Sequence, residues 1–189
     1  MMSQYTYFSY NTNEALFPSE REKQLLLDIF GKIDEELQTA NPDLLIITDY
    51  IKLVLDYCLH AYDRQFKATP MANNDMLARF EQLCDDYYES KRSQTDGLLT
   101  VQYCASQLCL SVNYFSDLVR GMTGISPQKH IQQKMLSKAK NLLLGTSMRV
   151  NEIAHVLGFQ QPQNFTNWFK KMEQISPNAY RVEQEKRQK

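Results

Sequence analysis

The sequence has few of the residues that interrupt helices, since only six glycines and six prolines occur among its 189 residues. It also lacks any apolar run near the roughly 20 residues that a transmembrane helix requires. The opening MMSQYTYFSYNTNEALF contains neither the basic region nor the apolar stretch of a secretion signal. These absences predict a mainly helical protein that works in the cytoplasm and has no part in a membrane.

Cysteine and histidine are too scattered to suggest a metal site or a catalytic site. The cysteines form no CxxC pair, and none has a histidine at zinc-finger spacing, so reduced, buried thiols are the better interpretation for Cys58, Cys84, Cys104 and Cys109. The three histidines belong to no nucleophile motif, and a glycine-rich phosphate loop is missing. We therefore expect no enzymatic activity, no metal and no cofactor.

The net charge of −1 conceals an uneven distribution between the two halves of the chain. Residues 1–95 contain nine basic and sixteen acidic residues, a formal charge of −7. Residues 96–189 contain twelve basic and six acidic residues, a formal charge of +6. Such asymmetry indicates two roles, with the basic half suited to a polyanion. The alternative is that the charges only keep the protein in solution.

Hydrophobic periodicity predicts helices along most of the chain. The tetrapeptide SERE at 19–22 has the pattern of a capping box at a helix start. A second helix is expected from about Pro42, a third from about 74 to 90, and a long one from about 127 to 144. The stretch KRSQTDG is expected to be a loop. The opening YTYFSY is interpreted as a short strand, the last of a domain that is otherwise missing.

The second half contains nearly the same segment twice. ASQLCLSVNYFSDLVRGMTGISP occupies 105–127, and AHVLGFQQPQNFTNWFKKMEQISP occupies 154–177. In each copy two amphipathic helices flank a tight turn, which is the pattern of a helix-turn-helix. Gly158 suits a left-handed turn in the second copy, whereas Cys109 holds that place in the first, at a cost of roughly 1 kcal/mol if the turn is left-handed.

The polar side chains of each second helix fall on the face that a helix-turn-helix turns towards the DNA major groove. Amide, hydroxyl and carboxylate groups can pair with base edges, and basic groups at the helix ends can contact phosphates. Base-reading roles are predicted for Asn113, Ser116, Asp117, Gln163, Asn164, Thr166 and Asn167, and phosphate contacts for Arg120, Lys170 and Lys171. A solvent-facing surface would explain polarity, but not two amide-rich faces in the same register.

Five segments of this region, TGISPQKHI, AKNLLL, IAHVLGF, NFTNWFKK and SPNAYR, together resemble the DNA-binding domain of AraC/XylS-type bacterial transcription regulators. The resemblance covers residues from about 75 to 181. It implies an all-α domain at 71–189 with helix-turn-helices at about 100–124 and 150–174, joined by a linker helix at about 127–144. Gln174 departs from the usual glycine seen at Gly124, and Asn167 stands where arginine is common.

The same resemblance bears on the acidic half, because members of this family usually carry an N-terminal effector barrel followed by helices that dimerise. Residues 1–70 would then be a helical remnant of such a region. Two helices alone cannot hide all their apolar residues from water. We therefore expect a homodimer through residues 19–67, involving Leu26, Ile29, Ile33, Leu53 and Val54. The alternative is that these helices pack on the DNA-binding domain of their own chain.

The sequence thus predicts a sequence-specific transcription regulator that binds double-stranded DNA. Activation would also require contact with RNA polymerase, but no residue pattern identifies that surface or an effector ligand. One alternative is a helical protein-interaction module whose DNA-binding domain reads no bases. Another is a DNA-repair methyltransferase with a similar DNA-binding module, which would need a catalytic cysteine domain and usually a four-cysteine zinc set, and neither is visible.

Overall fold

The computed structural model describes residues 5–68 and 70–187. Two 3₁₀ turns at Thr6–Ser9 and Thr12–Glu14 come first. The α-helices that follow are α1 (Glu20–Leu37), α2 (Leu44–Ala68), α3 (Pro70–Glu89), α4 (Arg92–Asp96), α5 (Val101–Gln107), α6 (Val112–Thr123), α7 (Pro127–Gly145), α8 (Val150–Val156), α9 (Pro162–Glu173) and α10 (Pro177–Arg187). No β-strand occurs within these described ranges, and the all-α prediction is confirmed.

Helices α1 and α2 form an antiparallel hairpin, and an ion pair joins the start of α1 to the end of α2. The predicted capping box is confirmed, because the Ser19 side chain accepts from the Glu22 amide and the Glu22 carboxylate accepts from the Ser19 amide. The same carboxylate lies 2.8 Å from the Arg64 guanidinium. These hydrogen bonds, chiefly the one from Arg64, lower the pKa of Glu22 to about 2. Helix α2 begins two residues after the predicted Pro42.

The opening YTYFSY is not a strand, so that prediction was wrong. Its backbone turns, with the Tyr10 amide donating to the Tyr7 carbonyl at 3.1 Å. The Tyr5 hydroxyl donates to the Asp56 carboxylate at 2.7 Å, and the Tyr7 hydroxyl donates to the Leu55 carbonyl at 3.0 Å. An isolated strand would leave its backbone groups without partners, whereas turns pair them locally and direct the tyrosines onto α2.

The stretch KRSQTDG is not simply a loop either, because its centre forms the short helix α4. Ser93 in this helix is buried, and its hydroxyl donates to the Val156 carbonyl at 2.6 Å. This bond connects α4 with the end of α8, 63 residues away along the chain. A polar stretch that looked like a plain linker therefore fastens the second helix-turn-helix to the helices before it.

One continuous hydrophobic core joins helices α3 to α9, with Tyr180 of α10 packed against it. Helix α7 runs through this core and confirms the predicted linker helix. Its buried residues stand four apart, so they form one stripe along the helix: Ile131, Met135, Ala139 and Leu143. All four cysteines are free, with Cys84 and Cys104 buried in the core and Cys58 half-buried. The prediction of a buried thiol was wrong for Cys109, which is exposed at the turn between α5 and α6. Helix α3 begins at Pro70, four residues before the predicted start.

Candidate nucleic-acid interface

The first helix-turn-helix consists of α5 and α6. The chain reverses at Cys109, whose φ of 58° lies in the left-handed region although cysteine carries a side chain. The Leu110 amide then donates to the Ala105 carbonyl at 2.9 Å and closes the turn. Ser111 caps α6 by accepting from the Tyr114 amide, and Gly124 ends the helix with a φ of 76°.

The second helix-turn-helix, made of α8 and α9, repeats this construction. Gly158 takes the left-handed position with a φ of 93°, and the Phe159 amide donates to the Ala154 carbonyl at 2.9 Å. Helix α9 starts with Pro162 and ends at Gln174, which adopts a φ of 64°. Gln174 therefore caps the C-terminus of α9 in the left-handed conformation, as Gly124 caps α6, although Gln174 carries a side chain. The two copies share both the turn and its closing hydrogen bond.

The outer face of α9 is open. Gln163, Asn164 and Asn167 are exposed, and the Gln163 amide donates to the Asn167 carbonyl oxygen at 3.3 Å across one helical turn. Thr166 is half-buried, and its hydroxyl donates to the Pro162 carbonyl at 3.1 Å. The structure thus brings all four predicted base-reading residues of α9 onto one side. Lys170 and Lys171 are also exposed, in the last turn.

The opposite face of α9 holds the helix in place, because Phe165 and Phe169 are wholly buried in the core. The two rings pack against each other with centroids 5.8 Å apart. Lys140 of α7 forms an ion pair with Glu173 at 2.8 Å, which fixes the end of α9 to the linker helix. The polar face is therefore presented by a helix that the core and α7 hold rigidly.

The corresponding face of α6 is partly covered, because the beginning of the chain lies on it. The Asp117 carboxylate accepts from the Thr6 hydroxyl at 2.5 Å and from the Tyr10 hydroxyl at 2.7 Å. The Asn113 amide donates to the Ser9 hydroxyl. Asp117 and Ser116 are half-buried, whereas Asn113 remains exposed. We call residues 5–17 the N-terminal strap.

Arg120, the predicted phosphate ligand of α6, remains exposed at the edge of this contact. Its guanidinium lies 3.6 Å from the Asp117 carboxylate.

Burial, and after it the hydrogen bond to Asp117, raise the pKa of Tyr10 well above its usual value. The Tyr10 phenol thus keeps its proton and acts as the donor to Asp117.

Sequence reasoning missed the strap residues as part of this site. The signal was present in the tyrosines of YTYFSY, since closely spaced aromatic residues commonly bury their rings. The alternation of Tyr5 and Tyr7 instead matches the period of a strand. Nothing local to Thr6, Ser9 or Tyr10 shows that their hydroxyls pair with side chains more than 100 residues further along.

Neither a metal-binding cluster nor a membrane-spanning helix is present in the part of the chain that the structure describes. No group of three or more histidine, cysteine, aspartate or glutamate side chains is arranged there to hold a metal ion. No helix in 5–68 or 70–187 is both long enough and apolar enough to cross a membrane.

Known proteins resemble the half of the chain that carries the two helix-turn-helices. A family model described as a helix-turn-helix domain matches residues 104–183. The uncharacterized HTH-type transcriptional regulator YtdP of Bacillus subtilis is 32% identical over 113 residues, which are 60% of this chain and 15% of YtdP. YobQ of the same organism, described in the same words, is 35% identical over 68 residues, 36% of this chain and 28% of YobQ. The chain thus spans less than a third of either relative.

A solved structure also matches. The C-terminal domain of AraT, a response regulator from Geobacillus stearothermophilus, is 32% identical to this chain and superimposes with a TM-score of 0.50. The match covers 57% of this chain and 84% of that domain. Agreement over most of an independently solved domain links the paired helix-turn-helices described above to a domain that recurs in other proteins.

Proposed function

Because the chain belongs to the AraC/XylS-type family of bacterial transcription regulators, we propose that it regulates transcription by reading two adjacent major-groove segments of one operator. The observation that carries this proposal is the repeated unit: two recognition helices with the same turn and the same polar register, set in one core. Residues 71–189 would be the DNA-binding domain. A single short helix reads too few base pairs to be selective, because each mismatch costs only about 1–3 kcal/mol.

The linker helix gives the two units a defined separation. Helix α7 has 19 residues, which corresponds to about 28 Å at roughly 1.5 Å per residue. One turn of DNA is about 34 Å long. A helix of this length, buried along one stripe, suits two recognition helices that enter successive turns of the groove on one side of the duplex.

The amide face of α9 should supply sequence selectivity, whereas its lysines should supply general affinity. We expect Gln163→Ala to weaken binding to the operator by about 1–3 kcal/mol with little effect on random DNA, since a lost base contact costs this much. Lys170→Ala should weaken both alike and reduce the slope of log affinity against log salt by about one. Titrations of labelled duplexes at several salt concentrations would measure both effects.

A suitable control is Gln24→Ala, which makes the same truncation at an exposed position of α1. It should leave both affinities unchanged. If Gln163→Ala weakens binding to random DNA as much as to the operator, Gln163 does not read bases.

The helical hairpin is the part of the chain that we propose to mediate dimerisation. Ile29 is only 5% exposed and packs within the hairpin, so it is not available at the surface. Leu53 is 41% exposed. It belongs to a larger set of exposed apolar residues on α1 and α2, namely Leu27, Phe30, Leu37, Leu44, Leu45, Ile46, Ile51 and Leu53. So many exposed apolar side chains on one hairpin are typical of an interface.

Leu53→Asp is expected to convert a dimer into monomers, because it places a charge among apolar side chains that the partner would bury. Lys52→Asp introduces the same carboxylate at the neighbouring exposed position and should leave the dimer intact. Sedimentation equilibrium of the full chain and both variants makes the comparison. A wild-type chain that sediments as a monomer at all concentrations would contradict dimerisation through the hairpin.

A further inference from the structure

The N-terminal strap occupies the face of α6 that DNA would need. We propose that it competes with DNA for this recognition helix and holds the first reading unit closed until it is displaced. This inference rests on the proposed DNA-binding function. The strap is then an internal competitor whose contacts set the affinity of the chain for its operator.

The strongest contact is made by Glu14, which is only 2% exposed. Its carboxylate accepts from the Ser111 amide at 2.6 Å and from the Ser111 hydroxyl at 2.6 Å. It also accepts from the Asn11 amide at 2.6 Å, within the strap itself. Hydrogen bonds to a charged acceptor are roughly twice as strong as neutral ones, so this contact holds the strap firmly on the start of α6.

The position of this carboxylate is informative, because Ser111 is the N-cap of α6. The start of a helix attracts anions through its unpaired N–H groups and its dipole, and DNA-binding helices use such N–H groups to contact backbone phosphates. Glu14 presents a carboxylate there with the charge that a phosphate would bring. The strap therefore imitates DNA at this point in charge as well as in place.

Further along α6, the strap occupies the groups predicted to meet bases. Thr6 and Tyr10 both donate to Asp117, and Ser9 accepts from Asn113. A base edge would have to displace the Thr6 and Tyr10 hydroxyls to pair with Asp117, and it would compete with Ser9 for the Asn113 amide. Since α9 has no such cover among the described residues, the two reading units differ in access although they share one construction.

The other side of the strap is attached to α2. Tyr62 donates to the Glu14 carbonyl at 3.2 Å, and the Gln65 side chain accepts from the Phe17 amide at 2.9 Å. Phe66 packs against α6, where its Cβ lies 3.3 Å from the point that a Cβ on Gly121 would occupy. For α6 to enter the groove, the strap and the end of α2 must therefore separate from α6. Displacement of the strap would then couple a movement of the α1–α2 hairpin to DNA binding.

If only some molecules have the strap open, the apparent affinity for DNA is the affinity of the open form multiplied by the fraction of molecules that are open. Weakening its hold should accordingly tighten DNA binding, whereas most substitutions near a binding site weaken it. Glu14→Gln keeps the shape of the side chain and removes its charge. We expect this variant of the full chain to bind a two-segment operator about tenfold more tightly than wild type.

The experiment begins with the full chain and a pool of random 40-base-pair duplexes, from which bound molecules are selected and the two specified segments identified. Affinities are then measured for wild type, Glu14→Gln and Tyr10→Phe, which loses the hydroxyl that donates to Asp117. Glu20→Gln is the matched control, because it makes the same acid-to-amide change at an exposed residue of α1. Each protein is also tested on duplexes with one segment scrambled.

We expect Glu14→Gln and, to a smaller degree, Tyr10→Phe to bind the intact duplex more tightly, with Glu20→Gln equal to wild type. The gain should disappear when the segment read by α6 is scrambled and persist when the other is scrambled. Equal or weaker binding by the two strap variants, with unchanged circular dichroism, would overturn the proposal. Failure of every protein to select any duplex would instead refute the DNA-binding function itself.

Amide hydrogen exchange in the wild-type chain provides a second test of the proposal that needs no substitution. On addition of the selected duplex, the amides of Tyr10 and Glu14, which are bonded within the strap, should exchange faster while those of α6 become protected. Strap amides that keep their protection while α6 gains it would overturn the proposal.

Discussion

Inserting five base pairs between the two DNA segments is expected to weaken specific binding by about a hundredfold or more. Half a helical turn would place the segments on opposite sides of the duplex, so that only one recognition helix could reach its bases. Each lost base contact costs about 1–3 kcal/mol, and loss of two contacts at about 2 kcal/mol each already exceeds two factors of ten. Affinities for the original and the spaced duplex measure this directly.

The size of this effect follows from the rigidity of the linker. Helix α7 is held by its buried stripe, and Arg181 of α10 donates to the Leu143 carbonyl at 2.8 Å and to the Met148 carbonyl at 2.7 Å around its end. The two units therefore cannot swivel to follow a rotated segment. Five base pairs inserted outside the two segments serve as the control and should change nothing. Equal affinity for both spacings would mean that only one unit reads DNA.

Gly158→Ala is expected to destabilise the protein by about 2–5 kcal/mol. A left-handed residue with a side chain costs roughly 1–2 kcal/mol, and a steric clash in a packed region costs about 1–3 kcal/mol more. The new Cβ would lie 2.6 Å from the Gly97 carbonyl oxygen and 2.8 Å from that of Ser93. Both are backbone atoms in or next to α4, which cannot rotate aside as a side chain could.

The matched control is Gly31→Ala, because Gly31 lies in the interior of α1 and a Cβ there would meet nothing within 4 Å. It should stabilise the chain by about 0.5–1 kcal/mol through better helix propensity. Urea denaturation of the two variants and wild type would give these free energies of unfolding. A Gly158→Ala protein as stable as wild type would show that the turn of the second helix-turn-helix does not have the close packing described here.

Features that depend on neighbouring residues were predictable from the sequence. The capping box at Ser19, the left-handed turns at Cys109 and Gly158 and the extent of α7 are encoded within one or two helical turns. The composition of the α9 face was also visible, because the spacing of Gln163 and Asn167 places them on one side of a helix.

Features that depend on distant partners were not predictable in this way. Ser93 lies in the short helix α4, and its hydroxyl donates to the Val156 carbonyl, which is 63 residues away along the chain. The alternation of Tyr5 and Tyr7 fits a strand. The backbone around them turns instead, because this segment contacts α2 and α6. The polarity of Asn113 and Asp117 indicated a DNA-facing surface, but no local pattern shows that Thr6, Ser9 and Tyr10 contact it. Local pattern identified the surface, and tertiary structure determines its accessibility.

Hydroxyl-radical footprinting of the full chain, at a concentration that saturates a selected duplex, tests the central claim most directly. The two helix-turn-helices predict two protected segments on one face of the DNA, about 10 base pairs apart, because the recognition helices would enter successive turns of the groove. Protection of a single segment, unchanged when the sequence beside it is replaced, would show that one of the two copies has only a structural role and would contradict the account.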